Sequence, residues 1–268
     1  MALATGLASC AGESHPAPSP AAASSVRPDP ARDWRLDGPD RLVTNEFAYW
    51  NGHDSRRVSS PVWEMTSGSL FVRGGVGYSG VPDTRPVDPR SEEGTNSAVF
   101  RLSSREHNYQ DVTVTLRMRL LRFTDTGSHE WDGVHVWLRY RSEERLYVAS
   151  VARRDGTVVV KRKDPGGPSN GGTYRTLGQQ AHRSSLNDWH TVVVSIRNQT
   201  AQKVAVTITL DGSLILSAVD DGRQGKPLLT PGAIGIRADN AEFELADIQP
   251  RLLTATSGPL SATGSPGP

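Results

Sequence analysis

The stretch Val204-Ala205-Val206-Thr207-Ile208-Thr209-Leu210-Asp211-Gly212-Ser213-Leu214-Ile215-Leu216 decides the fold class. Val204, Val206, Ile208 and Leu210 stand two apart, the period that puts side chains on one face of a strand. Asp211-Gly212 then supplies the positive φ angles of a two-residue turn, so the segment reads as a long, regular β-hairpin. A second Asp-Gly, Asp155-Gly156, separates Leu146–Arg153 from Thr157–Lys163 and reads as another hairpin, with Arg153 opposite Val158 and Val151 opposite Val160. Outward from these two hairpins, strands are expected at Ser97–Leu102, Val112–Arg122, Val134–Arg141, Thr191–Arg197, Ala233–Ala238 and Glu242–Ile248, with a short one at Ser69–Val72. No stretch between about Leu36 and Leu253 carries a helical period. The expectation is an all-β domain, a two-sheet antiparallel sandwich.

Composition narrows the function. The 268 residues hold 30 Lys+Arg and 29 Asp+Glu for a net charge of +1, which argues against a chain-wide nucleic-acid binder. No apolar run reaches the ~18 residues of a membrane-spanning helix. One cysteine, Cys10, excludes a disulfide scaffold and any cysteine-rich zinc site. Residues 11–35 are rich in Pro, Ala and Ser with few large apolar side chains, the composition of a disordered linker, and residues 254–268 read as a disordered tail. The folded domain is therefore expected over 36–253.

Two resemblances add to this reading. Leu7-Ala8-Ser9-Cys10 closes an uncharged, small-apolar stretch and resembles a bacterial lipoprotein lipobox. It implies that residues 1–10 are the remnant of a signal, that the Cys10 thiol carries a lipid anchor, and that the protein is extracytoplasmic, tethered to the membrane or secreted. Only nine residues precede Cys10, fewer than the roughly 15–30 of a signal, so either the start is expected upstream or the chain is trimmed. The alternative is a free cysteine in a disordered tail. In the body of the chain, TNEFAYWN (44–51), SPVWEMTSGSLFVRGG (60–75), GTNSAVFRL (94–102), WDGVHVWLRY (131–140), LYVASVARRDGTVVVKRK (146–163) and GIRADNAEFELADIQ (235–249) resemble the concanavalin A-like lectin/glucanase superfamily in its laminin G-like jelly-roll branch. The resemblance implies a jelly roll and a carbohydrate partner on its concave sheet; one fold hosts many activities.

Strand parity proposes the site. Val134, Val136, Leu138 and Tyr140 share one face, and His135, Trp137, Arg139 and Arg141 the other. The Asp155-Gly156 hairpin puts Tyr147, Ala149, Val151, Val158 and Val160 on the core side, and Ser150, Lys161 and Lys163 opposite. A solvent face of His135, Trp137, Arg139, Ser150, Lys161 and Lys163 results. Between His135 and Lys163 stand eight Lys or Arg against three acids, so the basic excess is regional. Arg forks and Lys charges pair with carboxylate or sulfate, and an indole stacks on a pyranose, which suits an anionic polysaccharide. The other reading is a solvated face whose Arg stems cover apolar surface. Trp50, Trp63, Trp131 and Trp189 line a cleft or complete the core, and the Gly-rich Pro165–Gly172 reads as a mobile rim loop.

The motifs of enzymes are mostly missed. His129-Glu130-Trp131-Asp132-Gly133 lacks the second His of a zinc protease, and Gly77-Tyr78-Ser79-Gly80-Val81 lacks the last Gly of a nucleophile elbow. No Glu-x-Asp-x-x-Glu run of the superfamily's glucanases is found; Glu130 and Asp132 share a face without a third acid. A lyase needs a cation against a uronate carboxylate and a base for the C5 proton, and His135, Arg139 and Lys161 are of those types. A polysaccharide lyase or glycoside hydrolase, and a protein-binding laminin G-like module, are the alternatives to a lectin. Asp220-Asp221-Gly222 and Asp239-Asn240 offer oxygens for a structural calcium or are ordinary turn chemistry.

Overall fold

The structure is a computed structural model and describes residues 26–28, 34–82, 99–124 and 129–254. Cys10 and the tail after Thr254 lie outside the described residues. The strands are β1 (Val26–Pro28), β2 (Arg41–Asn45), β3 (Trp63–Ser67), β4 (Ser69–Arg73), β5 (Val76–Tyr78), β6 (Val99–Ser104), β7 (Val112–Phe123), β8 (Gly133–Ser142), β9 (Arg145–Arg153), β10 (Thr157–Ser169), β11 (Gly172–Ala181), β12 (His190–Thr200), β13 (Lys203–Leu210), β14 (Ser213–Asp220), β15 (Ala233–Asp239) and β16 (Ala241–Leu253). One helical turn, α1 (Phe47–Trp50), follows β2.

All pairings are antiparallel. A nine-stranded sheet runs β14-β13-β12-β7-β16-β5-β4-β2, with β1 also on β16, and a seven-stranded sheet runs β11-β10-β9-β8-β15-β6-β3. The inner faces interdigitate in a single core to which β7 contributes Val112, Val114, Leu116 and Met118 at alternate positions. Leu210 pairs with Ser213 across Asp211 and Gly212, both at positive φ, as the Asp-Gly pair predicts. At the other Asp-Gly the tight turn is Arg153 to Gly156, so Val159, not Arg153's expected partner Val158, anchors the register, opposite Ser150. The pairing slips by two residues, an even number, so every side chain keeps its face. Tyr147, Ala149, Val151, Val158 and Val160 all join the core.

Two boundaries move. Trp34 is buried against Trp63 and Tyr109, and β1 pairs with Leu253, so ordered chain extends into the segment read as linker at 11–35. Pro165–Gly172 is not a loop but the tip of the β10–β11 hairpin, closed by Asn170 and Gly171 at positive φ.

Arg139 is the larger correction. It has φ of 49°, and the β8 ladder shifts register on both sides of it, between Leu138 and Ser142 toward β9 and between Ala233 and Gly235 toward β15. This bulge turns Arg139 off the solvent face and into the space between the sheets, where its side chain is fully buried. Its fork donates to the Gln110 carbonyl (2.7 Å), Asp111 Oδ1 (3.0 Å), Asn198 Oδ1 (2.8 Å) and the Leu228 carbonyl (2.6 Å). Tyr140, expected in the core, is put on the outer face by the same bulge. Arg162 makes a second tie between the sheets, from β10 to Asp220 at the end of β14 (2.6 Å).

Removing one partner of such a buried pair strands the others, so Arg139→Ala is expected to lower the unfolding free energy by about 3–5 kcal/mol in urea titrations. Arg139→Lys keeps the charge but loses the fork and should recover less than half of that.

Candidate functional site

The outer face of the seven-stranded sheet carries a second, smaller apolar cluster of Trp137, Leu146 and Val148, with Tyr140 and Tyr174 against it. Its Trp137, Val148 and Tyr174 line the floor of a cavity of about 280 Å³. Trp137 lies flat on Tyr140, 4.8 Å between ring centres and 8° between planes. The large indole fits because its neighbour across the ladder is Gly235, where a Cβ would come within 2.9 Å of the ring. Trp137 is only 2% exposed and its Nε1 has no hydrogen-bond partner among the described residues, a buried donor left unsatisfied.

The polar wall rises on one side from β8, β9 and β15. His135 faces Ser150 across the ladder, with Nδ1 2.8 Å from Ser150 Oγ. Its Nε2 lies 3.4 Å from Asp239 Oδ2. Asp239 is gripped by Arg237, whose Nε and Nη2 donate at 2.8 and 2.7 Å. Burial pushes the His135 imidazole below its ordinary pKa, Asp239 opposes that, and Arg237 and Arg153 add to it. Burial acts to raise the Asp239 carboxyl, but Arg237 and then His135 outweigh it and hold the group well below the carboxylate range.

On the other side, β10 contributes Lys161 and Lys163, and the β10–β11 hairpin tip lines the rim with Pro168, Ser169 and Asn170. Lys163 pairs with Tyr174 across the ladder, and its stem is buried against the neighbouring Gly172 of β11, where a Cβ would sit 2.6 Å from its Cε. Both ammonium groups lie over the Tyr174 ring, at 5.6 Å for Lys161 and 5.0 Å for Lys163. Neither has a carboxylate at ion-pairing distance among the described residues, whereas Arg153 is closed by Asp155 and Arg237 by Asp239. Burial, then Arg153, lowers the Lys161 pKa; burial lowers that of Lys163, with Arg237 and Arg101 acting the same way against Glu143 and Glu144.

Of the six residues proposed from parity, the structure thus brings together His135, Trp137, Ser150, Lys161 and Lys163 and sends Arg139 elsewhere. The lyase trio of His135, Arg139 and Lys161 is broken by the same bulge. Trp131, half exposed at the rim and stacked on His129, and Tyr174 complete the lining. The signal for Tyr174 was the unused Asn170-Gly171 hairpin pair, which sets β11 beside β10. Of the other tryptophans, Trp63 is core, Trp50 donates to the Thr66 carbonyl, and Trp189 lies under Arg117 and Arg119.

The carboxylates considered for calcium are committed elsewhere. Asp220 accepts from Tyr147 and Arg162, Asp239 from Arg237, and Asp221 pairs with Arg223. Among the described residues no group of three or more His, Cys, Asp or Glu could hold a metal ion. Glu242, Glu244 and Asp247 do reproduce the spacing of the glucanase acids with permuted types, but they lie on the other sheet and are paired with Arg122, with Arg73 and Arg119, and with Arg117. No helix among the described residues is long and apolar enough to cross a membrane.

No protein-family profile matches the chain, and no curated protein sequence matches it. Solved structures do. A protein of unknown function with a galectin-like fold from Bacillus subtilis superposes with a TM-score of 0.50 at 12% identity, over 81% of this chain and 99% of that one. The exoplasmic/lumenal domain of VIP36, in a Ca2+/Man3GlcNAc-bound form, has a TM-score of 0.48 at 10% identity, over 81% and 90%. The carbohydrate binding module CBM66 from Bacillus subtilis has a TM-score of 0.45 at 11% identity, over 70% and 94%. At these identities the likeness is one of fold: the chain is a two-sheet, antiparallel, concanavalin A-like jelly roll.

The low-lying His135 gives a stability signature. The unfolded chain takes up the proton first, near the ordinary value of 6.5, so stability falls as pH drops below that value, until the folded pKa is passed. Thermal unfolding should show this acid-side loss, and His135→Gln should flatten that part of the curve.

Proposed function

We propose that this chain binds carbohydrate, and that the cavity on the seven-stranded sheet takes an anionic sugar. One observation carries the reading: Lys161 and Lys163 are half-buried to buried ammonium groups at the cavity with no carboxylate at ion-pairing distance among the described residues, the lining Asp239 being taken up by Arg237. Desolvated cations without a partner are costly, and a carboxylate or sulfate on a sugar removes that cost while forming charge-assisted hydrogen bonds. Tyr174 and the open face of Trp131 supply ring surfaces for a pyranose. Trp137 itself is covered by Tyr140 and acts as floor, not as stacking platform. The volume, at the low end for small-ligand sites, suits one or two sugar units better than a long run of polymer.

An extracytoplasmic setting accords with this partner, and a lipid on Cys10 is the proposed tether. A protein-binding module is the competing reading, and the same assay separates the two.

Affinity electrophoresis through alginate, pectate, hyaluronan and neutral laminarin tests the proposal. Retardation is expected in the anionic gels and should weaken as salt is raised. Lys161→Met with Lys163→Met preserves the apolar stems and removes no ion pair, so the fold should hold while retention falls at least about 10-fold, the loss of one to two charge-assisted bonds. Undiminished retention in the double variant would remove the idea, and free migration of the wild type in every gel would favour a protein partner.

A further inference from the structure

We propose that Ser150, His135 and Asp239 form a nucleophile, base and positioning relay, and that the cavity hydrolyses an O-acyl ester carried by its sugar ligand. The sugar part of that substrate rests on the carbohydrate reading above; the serine chemistry does not.

The three side chains come from adjacent strands β9, β8 and β15, project from one sheet face, and all line the cavity. Ser150 Oγ and His135 Nδ1 are at 2.8 Å, the distance of a nucleophile from its base. The carboxylate of Asp239, 3.4 Å from Nε2, favours the tautomer with hydrogen on Nε2, which leaves the Nδ1 lone pair facing the serine hydroxyl. This is the division of labour of a serine hydrolase triad with the two imidazole nitrogens exchanged. Arg237, holding both Asp239 oxygens, fixes the carboxylate beside the ring.

The geometry also selects the reaction. Both ring nitrogens of His135 are engaged, so the base has no free lone pair to reach a C5–H of a uronate, and its proton acceptance goes through Ser150. A serine so placed attacks an acyl carbon. Ser150 Oγ bonds to the ester carbonyl carbon and its proton passes to His135 Nδ1, while the carbonyl π pair moves to oxygen. Lys161, a lining cation with no carboxylate at ion-pairing distance among the described residues, is the group available to the charge that develops there. Collapse breaks the bond from carbon to the sugar oxygen, which leaves as a hydroxyl with the proton from His135. Water then attacks the acyl-serine, gives its proton to His135, and collapse returns that proton to Ser150 Oγ and releases the carboxylic acid. No oxidant or second substrate beyond water is required.

The test treats the full chain with an alkyl fluorophosphonate, which phosphonylates activated serine hydroxyls, and maps the adduct by peptide mass. Acetate release from O-acetylated pectate and O-acetylated alginate is followed by NMR on the same preparation. The expected result is one adduct, on Ser150, formed about 100-fold faster than in heat-denatured protein and slowed about 10-fold or more by His135→Gln. Acetate release should disappear in Ser150→Ala, a change of one hydroxyl whose fold is checked by circular dichroism. A trio serving only to satisfy buried polar groups would react no faster than denatured protein. Absence of the Ser150 adduct in folded protein, or acetate release unchanged in Ser150→Ala, overturns the proposal. Gel retention of the unlabelled wild type is scored separately: retention without an adduct leaves the binding reading standing alone, and an adduct without retention leaves the serine chemistry standing.

Discussion

The left-handed residue in the middle of β8 governs both the sandwich and its face. A strand of strict alternation would place Arg139 beside His135 and Trp137 on the outside. Positive φ at a long, branched-headed residue is uncommon and costs backbone energy, so something must hold it there. What holds it is the set of acceptors gathered at one end of the nine-stranded sheet: the Gln110 and Leu228 carbonyls, Asp111 and Asn198. All three guanidinium nitrogens are satisfied, the condition under which a buried cation is tolerated. The bulge then has a second effect at no further cost: it turns Tyr140 outward, onto Trp137, and so packs it against the indole that lines the floor of the cavity.

The wall of the cavity follows from the same demand that buried polar groups find partners. Packing the aromatic floor outside the main core shields the side chains that stand around it, and His135, Ser150, Asp239 and Lys163 are all nearly inaccessible. Most of that set closes on itself: Arg237 with Asp239, Asp239 with His135, His135 with Ser150. The lysines do not close. Both charges stand near the π face of Tyr174, an attraction of about 0.5–2 kcal/mol that does not replace a counter-ion. A face assembled for packing alone has no reason to keep two such groups.

Much of this was legible in the residues. Alternation and two Asp-Gly pairs gave the strands and their faces, and the even slip at Arg153–Gly156 left the assignment of Ser150, Lys161 and Lys163 intact because parity repeats every two residues. What was not legible has a common cause. Arg139 follows a parity rule broken by a bulge whose stabilising acceptors come from Gln110, Asp111, Asn198 and Leu228, far off in sequence. Trp34 lies in a Pro- and Ala-rich segment whose composition argues for a linker, and it is buried only because Trp63 and Tyr109 wait for it. β11 is polar on most positions and half exposed, so its strand character shows only through its ladder with β10 and through Asn170-Gly171. Asp239 became part of the site through adjacency of β15 to β8, which no local pattern reports.

The opposite sheet supplies the internal comparison that separates a basic face from a binding face. Arg73, Arg117, Arg119 and Arg122 crowd the outer side of the nine-stranded sheet with Trp189 and Tyr78 among them, an array at least as cationic and aromatic as the cavity. There, however, Arg73 and Arg119 converge on Glu244, Arg122 on Glu242, and Tyr78 donates to Glu242 at 2.5 Å. Burial first, then Glu242, pushes the Tyr78 phenol up to about 12, and against the burial that acts to raise it Glu242 is held low by Tyr78 and Arg122. Each charge is already answered within the protein, so an anionic ligand would have to displace a carboxylate to gain anything. Arginine and aromatic residues are therefore alike on both faces in kind, and the difference lies in the pairing: every one of these arginines on the nine-stranded sheet has a carboxylate at ion-pairing distance, two of them sharing Glu244, whereas the two lysines beside Tyr174 have none among the described residues. A ligand's anion fits where that deficit is.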